Sequence, residues 1–230
     1  MAKKAFFITG TDTDVGKTAV TAGLLQAAKD QGYSTSALKP VAAGCAKTEL
    51  GLRNSDALIL QSVITQALPY EQINPIALEA AVAPHLAAQL EKRSLSADRL
   101  TGFCRGVLNS ADVILVEGAG GWRVPLNPRE TLADLAKNLQ LPVILVVGMR
   151  LGCLNHALLT FEAIVGDGLP IAGWVANCID ADMPLLQENI ASLCSRLPVP
   201  CLAVVPFLAE PSPAAVAEHF FAAELDKILR

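Results

Sequence analysis

A chain of 230 residues, 52% hydrophobic and only 17% charged, has apolar material for a sizeable α/β core and too much of it for a disordered polypeptide. A formal net charge of −4 without any basic run argues against an electrostatic nucleic-acid footprint. The run LPVILVVGM is less than half of a bilayer span and ends at Arg150, and the opening MAKKAFFITGTDTD lacks the long apolar stretch of a secretory leader, so a cytoplasmic protein with no membrane partner is expected.

Taken in chain order, Lys4–Thr9 reads as a first strand, and Thr18–Gln31 as a helix that Gly32 stops. Ser36–Val41 is a second strand and Asn54–Gln66 a helix with Asn54 or Ser55 as its N-cap. Pro69 and Pro75 make Leu68–Ile76 irregular or a short strand, and helices are expected over Ala83–Lys92 and Ser96–Asn109. Asp112–Glu117 (DVILVE) is a buried strand, Gly118–Pro128 a loop, Leu132–Gln140 a helix and Val143–Gly148 a second buried strand. Asn155–Asp167 is helical, Ile171–Asn177 a strand, Pro184–Leu197 helical, Cys201–Pro206 a strand and Pro213–Leu229 a closing helix. Strands alternating with helices, with no repeat or linker between them, predict one α/β domain over residues 1–230. Its sheet is doubly wound, mostly parallel and flanked by helices, and the run GTDTDVGKT between the first strand and the first helix makes it of P-loop NTPase type. Six cysteines form no Cys-x-x-Cys pair and three histidines show no ligand spacing, which predicts reduced thiols and no structural zinc.

The run GTDTDVGKT, Gly10–Thr18, falls between the first strand and the first helix. In that context its backbone N–H groups and the helix N-terminus form an anion cradle. Lys17 then pairs with β- and γ-phosphates, and the Thr18 hydroxyl is placed for Mg²⁺. The spacing is Gly-x5-Gly-Lys-Thr, one residue longer than the common form. Asp12 and Asp14 are unusual so near phosphates; they point outward, or one of them organises substrate or metal.

Ligands of a doubly wound sheet bind beyond the carboxyl ends of its strands. Lys39 in ALKPV lies at such an end, where it either stabilises a transferring phosphoryl group or extends to solvent. Glu117 closes DVILVE ahead of GAGG, the place of a carboxylate that reaches a nucleotide-bound metal. Asp56 reads on its own as a first-turn carboxylate that complements a helix dipole. Trp122 and Arg123 either border the path of a substrate or pack over the glycine loop.

The blocks GTDTDVGKT, LKPVAAG, GLRNSDA, VEGAGGW, LPVILVVGMRLGCLNHALLT, GWVAN and PFLAE, in this order from Phe7 to Glu210, together resemble the dethiobiotin synthetase family. The resemblance implies an ATP-dependent ligase of biotin biosynthesis that joins 7,8-diaminononanoate and CO₂ through a carbamate and a carbamic–phosphoric anhydride. It implies phosphate contacts at Asp14, Val15, Gly16, Lys17, Thr18 and Ala19, and Mg²⁺ held by Thr18, Asp56 and Glu117. Gly118, Ala119 and Gly120 would border the nucleotide. Asn177 and Cys178, with Pro206, Phe207, Leu208 and Glu210, would receive the adenine. Lys39, Lys17 and Thr11 would be the catalytic groups. Ala43 would touch substrate, and a homodimer would bring Leu151, Gly152, Cys153 and Asn155 to the substrate carboxylate. Relatives usually carry KPVASG and often WVAND, so Ala43 and Cys178 depart from the pattern. A drifted paralogue with another diamine is one alternative. Another is a regulatory ATPase of the chromosome-partitioning type, although that group carries a lysine where Thr11 stands here.

Overall fold

The computed structural model describes residues 3–230; Met1 and Ala2, the first residues of the segment read above as lacking a leader, lie outside it. In chain order the elements are β1 (Lys4–Gly10), α1 (Lys17–Asp30), β2 (Thr35–Leu38), β3 (Val41–Ala42), β4 (Ala46–Thr48), β5 (Gly51–Arg53) and α2 (Ser55–Val63). Then follow α3 (Tyr70–Ile73), β6 (Ile76–Ala77), α4 (Pro84–Leu90), α5 (Ala97–Arg105), β7 (Val113–Gly121), α6 (Leu132–Leu139) and β8 (Val143–Met149). The chain closes with α7 (Cys153–Gly166), β9 (Ile171–Cys178), α8 (Leu186–Arg196), β10 (Cys201–Val205), α9 (Pro213–Ala217) and α10 (Ala222–Leu229).

Six strands form one sheet in the order β10-β9-β8-β1-β7-β2, every neighbour parallel. Parallel strands need crossovers, and these helices cover both faces, which is why VILVVGM of β8 is buried throughout. Alternation sorts the side chains. Phe7, Leu145 and Trp174 pack into the layer that holds Leu100, Leu135 and Ile164, whereas Phe6, Ile8 and Val146 meet Leu24 and Leu25 of α1 on the other face. This is the single-domain α/β fold expected from the sequence. Among the described residues no helix is long and apolar enough to cross a membrane.

Several boundaries differ from expectation. β7 continues past Glu117 to Gly121, because β1 keeps pairing with it across a register shift as far as Gly10 opposite Gly121. The segment Ala46–Arg53 folds as an exposed antiparallel hairpin. The expected closing helix is two helices: Phe220 bridges to Ala203, and the Phe221 N–H donates to the Leu202 carbonyl at 2.9 Å. The hydrogen bond and the burial of Phe220 compete with one more helical turn and win. α7 starts at Cys153, two residues before the predicted Asn155, because Gly152 takes φ 93° and acts as its N-cap.

Candidate active site

β1 hands the chain to the phosphate loop, and the loop hands it to α1. Gly16 is the N-cap of α1 at φ 79°, and a β-carbon there would lie 2.1 Å from the Asn177 amide nitrogen, so only glycine fits. That amide, at the carboxyl end of β9, donates to the Val15 carbonyl at 2.9 Å and ties the loop to a second strand. Lys17 is buried, and its Nζ donates to the Asp12 carbonyl at 2.9 Å. Burial, helped by the nearby charge of Lys39, pulls the Lys17 pKa down to about 8.

Beside it, the carboxyl end of β2 and the middle of β7 bring a second charged group into place. Lys39 Nζ donates to Glu117 Oε1 at 2.6 Å and to the Gly118 carbonyl at 3.3 Å, and lies 3.0 Å from Asp56 Oδ2. The Lys39 backbone is anchored twice: its N–H donates to the Ile73 carbonyl at 2.7 Å, and its own carbonyl accepts from Asn74 Nδ2 at 2.7 Å. Burial alone would lower the pKa of Lys39, but the Glu117 and Asp56 carboxylates outweigh it, so its pKa is raised and the group stays an ammonium. Thr18 Oγ1 also donates to Glu117 Oε1, at 2.7 Å. The second oxygen, Glu117 Oε2, is buried without any partner. An orphaned carboxylate oxygen beside a hydroxyl and a second carboxylate is an all-oxygen set suited to a hard divalent cation. Among the described residues no three His, Cys, Asp or Glu side chains cluster to hold a metal alone, so phosphate and water oxygens would complete the shell.

Above these groups opens a cavity of about 710 Å³. Its lining joins the polar side chains of Lys17, Thr18, Lys39, Asn54 and Asp56 to the small apolar residues Ala42, Ala43, Ala81, Val82, Ala83 and Pro84. Such a cleft suits a ligand with an anionic end and an aliphatic body.

Residues 4–215 match the family model described as "AAA domain". The chain is 70% identical over 219 residues to the ATP-dependent dethiobiotin synthetase BioD of Cellvibrio japonicus (strain Ueda107), covering 95% of this chain and 96% of that one. With the protein of that name from Pseudomonas paraeruginosa it shares 61% identity over 216 residues, 94% of this chain and 95% of the relative. The chain belongs to the dethiobiotin synthetase family. Its fold is also that of the signal recognition particle receptor FtsY from Elizabethkingia anophelis, crystallised with GDP. That structure superposes with a TM-score of 0.55 at 13% identity, over all of this chain but only 64% of the receptor.

Of the residues expected from the sequence, the structure brings Asp14, Gly16, Lys17, Thr18, Lys39, Ala43, Asp56, Ala119 and Gly120 onto one cavity, with the buried Glu117 hydrogen-bonded to Thr18 and Lys39. Thr11 lies off the cavity wall, its N–H donating to the Val146 carbonyl at 3.0 Å. Asn177 and Val205 are paired at adjacent strand ends, and neither Cys178 nor the segment Pro206–Glu210 lines the cavity. The Cys178 thiol is packed in the core, where burial raises its pKa. Leu151 and Gly152 lead into α7 and Cys153 and Asn155 lie in its first turn, also outside the cavity. Trp122 packs edge-on against Phe7 with ring centroids 6.1 Å apart, and its Nε1 donates to Asp167 at 2.7 Å. Trp122 is buried and does not line the cavity. The sequence reading missed the apolar lining Ala81–Pro84 and the Asn54 side chain. Pro84 is a helix-start signal, but nothing in the string indicates what that helix end faces.

Proposed function

We propose that this chain forms dethiobiotin from 7,8-diaminononanoate, CO₂ and ATP, releasing ADP and phosphate. One observation carries the reading: a phosphate loop, a lysine kept charged by two carboxylates and an apolar wall share one cavity in a chain with family relatives of 61–70% identity.

In this reading one amine of the substrate takes up CO₂ as a carbamate, and a carbamate oxygen displaces ADP from the γ-phosphorus. The second amine then attacks the carbamoyl carbon, closes the ureido ring and expels phosphate. Lys17 and the loop N–H groups hold the β- and γ-phosphates, while Lys39 neutralises charge on the carbamate and on the moving phosphoryl group. Thr11 holds the turn at the end of β1 that carries the loop. The apolar wall takes the aliphatic chain and excludes water from the reactive anhydride. Thr18, Asp56 and Glu117 would hold Mg²⁺, which supplies charge neutralisation at the phosphates when bound. No protein nucleophile is required, since phosphoryl transfer and ring closure need only positioning and charge stabilisation.

Asn177, Cys178, Pro206, Phe207, Leu208 and Glu210 border the adenine in this reading, and Val15, Ala19 and Gly118 complete the nucleotide contacts. The 230 residues act as one catalytic unit in the cytoplasm, paired as a homodimer. The support for pairing is α7: only Cys153, Ala157 and Ile164 are buried along it, while Leu151 just before it is 92% exposed and Leu159 on it 58% exposed. Across that interface Leu151, Gly152, Cys153 and Asn155 receive the substrate carboxylate. The test is phosphate release from Mg·ATP and bicarbonate, with and without the diamine, followed by mass spectrometry. Release that depends on the diamine and matches dethiobiotin one for one is expected; nucleotide binding without diamine-dependent turnover would sink the proposal.

A further inference from the structure

The phosphate loop carries an acid, Asp12, only five residues before the lysine that serves the phosphates. A carboxylate free to swing toward that concavity would repel a triphosphate and compete with it for the Lys17 ammonium. In the structure it is turned away. Thr13 and Asp14 line the cavity, but Asp12 does not. One Asp12 oxygen accepts the Thr13 N–H at 2.7 Å, and the other is ion-paired with the Arg150 guanidinium just beyond β8. The main chain of Asp12 meanwhile offers the carbonyl on which Lys17 Nζ rests at 2.9 Å. The side chain of one residue is thus tied outward while its carbonyl holds the phosphate-binding lysine.

We propose that Arg150 is a positioning residue for nucleotide binding: it neutralises Asp12 and keeps that carboxylate out of the phosphate concavity and away from Lys17. The pair can reach because β1 and β8 are neighbours, Gly10 lying opposite Val146. Both side chains are 43% exposed, so the ion pair adds little to stability, and its consequence is where it leaves the negative charge. Lys17 is the partner at stake, since its Nζ rests on the Asp12 carbonyl.

The inference rests on the ATP-binding reading, and its test separates the two. Calorimetric titration of the full-length chain with Mg·ATP is carried out on the parent, Arg150→Gln, Asp12→Asn and the double variant. Asparagine keeps the acceptor for the Thr13 N–H while removing the charge. At low salt Arg150→Gln raises Kd about 5–20-fold, and 0.5 M salt shrinks the effect to about twofold or less, as expected for an exposed charge. In the Asp12→Asn background the same substitution changes Kd by less than about twofold, because the charge that Arg150 neutralises is gone. Arg150→Lys, which keeps the cation, stays within about threefold of the parent and serves where glutamine disturbs the fold. An unchanged Kd in Arg150→Gln overturns the proposal. So does an equal loss in both backgrounds, which would make Arg150 a direct ligand of the phosphates. A parent chain that fails to bind ATP removes the underlying reading as well; one that binds without this coupling removes only the role of Arg150.

Discussion

Just past β2 and in the middle of β7, Lys39 and Glu117 are buried with side-chain exposures of 5% and 0%, whereas on α7 Leu159 stands 58% exposed. The two regions depart from the ordinary partition of polar and apolar residues in opposite directions. Buried charges survive only when paired, and here Lys39 meets Glu117 at 2.6 Å and Asp56 at 3.0 Å. α7 has three buried positions in fourteen residues, and exposed apolar side chains grouped on one helix are the surface a partner can cover. The floor of the cavity is thus assembled inside one chain, whereas the α7 face is where the proposed homodimer would place a second copy.

The largest effect should come from breaking the floor. Lys39→Met removes the group that meets developing charge, and kcat is expected to fall about 10²–10³-fold. It also leaves Glu117 charged, fully buried and without its cation, at a cost of about 3–5 kcal/mol in the urea unfolding midpoint. Adding Glu117→Gln should recover much of the stability and none of the activity. If Lys39→Met keeps activity, the floor is structural and the comparison fails.

Next in size is the α7 face. Leu159→Glu should convert a dimer to a monomer in sedimentation equilibrium and lower kcat/KM for the diamine more than tenfold, with the monomer still binding ATP. Because Leu159 is exposed within the chain, the variant's own fold should melt within a few degrees of the parent. A dimer that persists would show that α7 is not the covered face.

These regions were unequally legible in the sequence. The phosphate loop announces itself, because glycines, lysine and threonine stand at fixed spacing between a strand and a helix, and DVILVE and PVILVV read as buried strands from their apolar runs alone. Lys39 and Asp56 were ambiguous for a physical reason: their roles depend on Glu117, which lies 78 residues from Lys39 in the chain. The hairpin Ala46–Arg53 has no apolar alternation to betray it. The break in the closing helix comes from the Leu202 carbonyl, a tertiary contact without a local signal. The Ala81–Pro84 wall is built of small apolar residues whose facing side no periodicity reveals. The Asp12–Arg150 pair spans 138 residues.

A pH titration sharpens the contrast within the floor itself. Free Lys17 has its pKa lowered to about 8, and contact with phosphates raises it. The bound state therefore holds the proton more tightly, so ATP affinity is complete below pH 8 and declines as pH rises through it. Kd should increase by up to about tenfold per pH unit above 8 in calorimetric titrations. Lys39, whose pKa is raised, contributes no change in this window. A flat profile would mean that Lys17 is not the phosphate ligand. The smallest effect is expected at the apolar wall. Ala43→Ser adds a hydroxyl to the cavity and should lower KM for the diamine about 2–10-fold, leaving kcat within about twofold. A raised KM would show that the wall reads only the aliphatic chain.

The central claim is that the cavity moves the γ-phosphoryl group of ATP onto a carbamate made from CO₂. Turnover in ¹⁸O-labelled bicarbonate, stopped before exchange with water and read by mass spectrometry of the phosphate and of the dethiobiotin, tests it most directly. The account predicts one labelled oxygen in each phosphate released and one in the new ureido carbonyl. Labelled dethiobiotin formed together with unlabelled phosphate would contradict it, because the phosphoryl group would then never have met the carbamate.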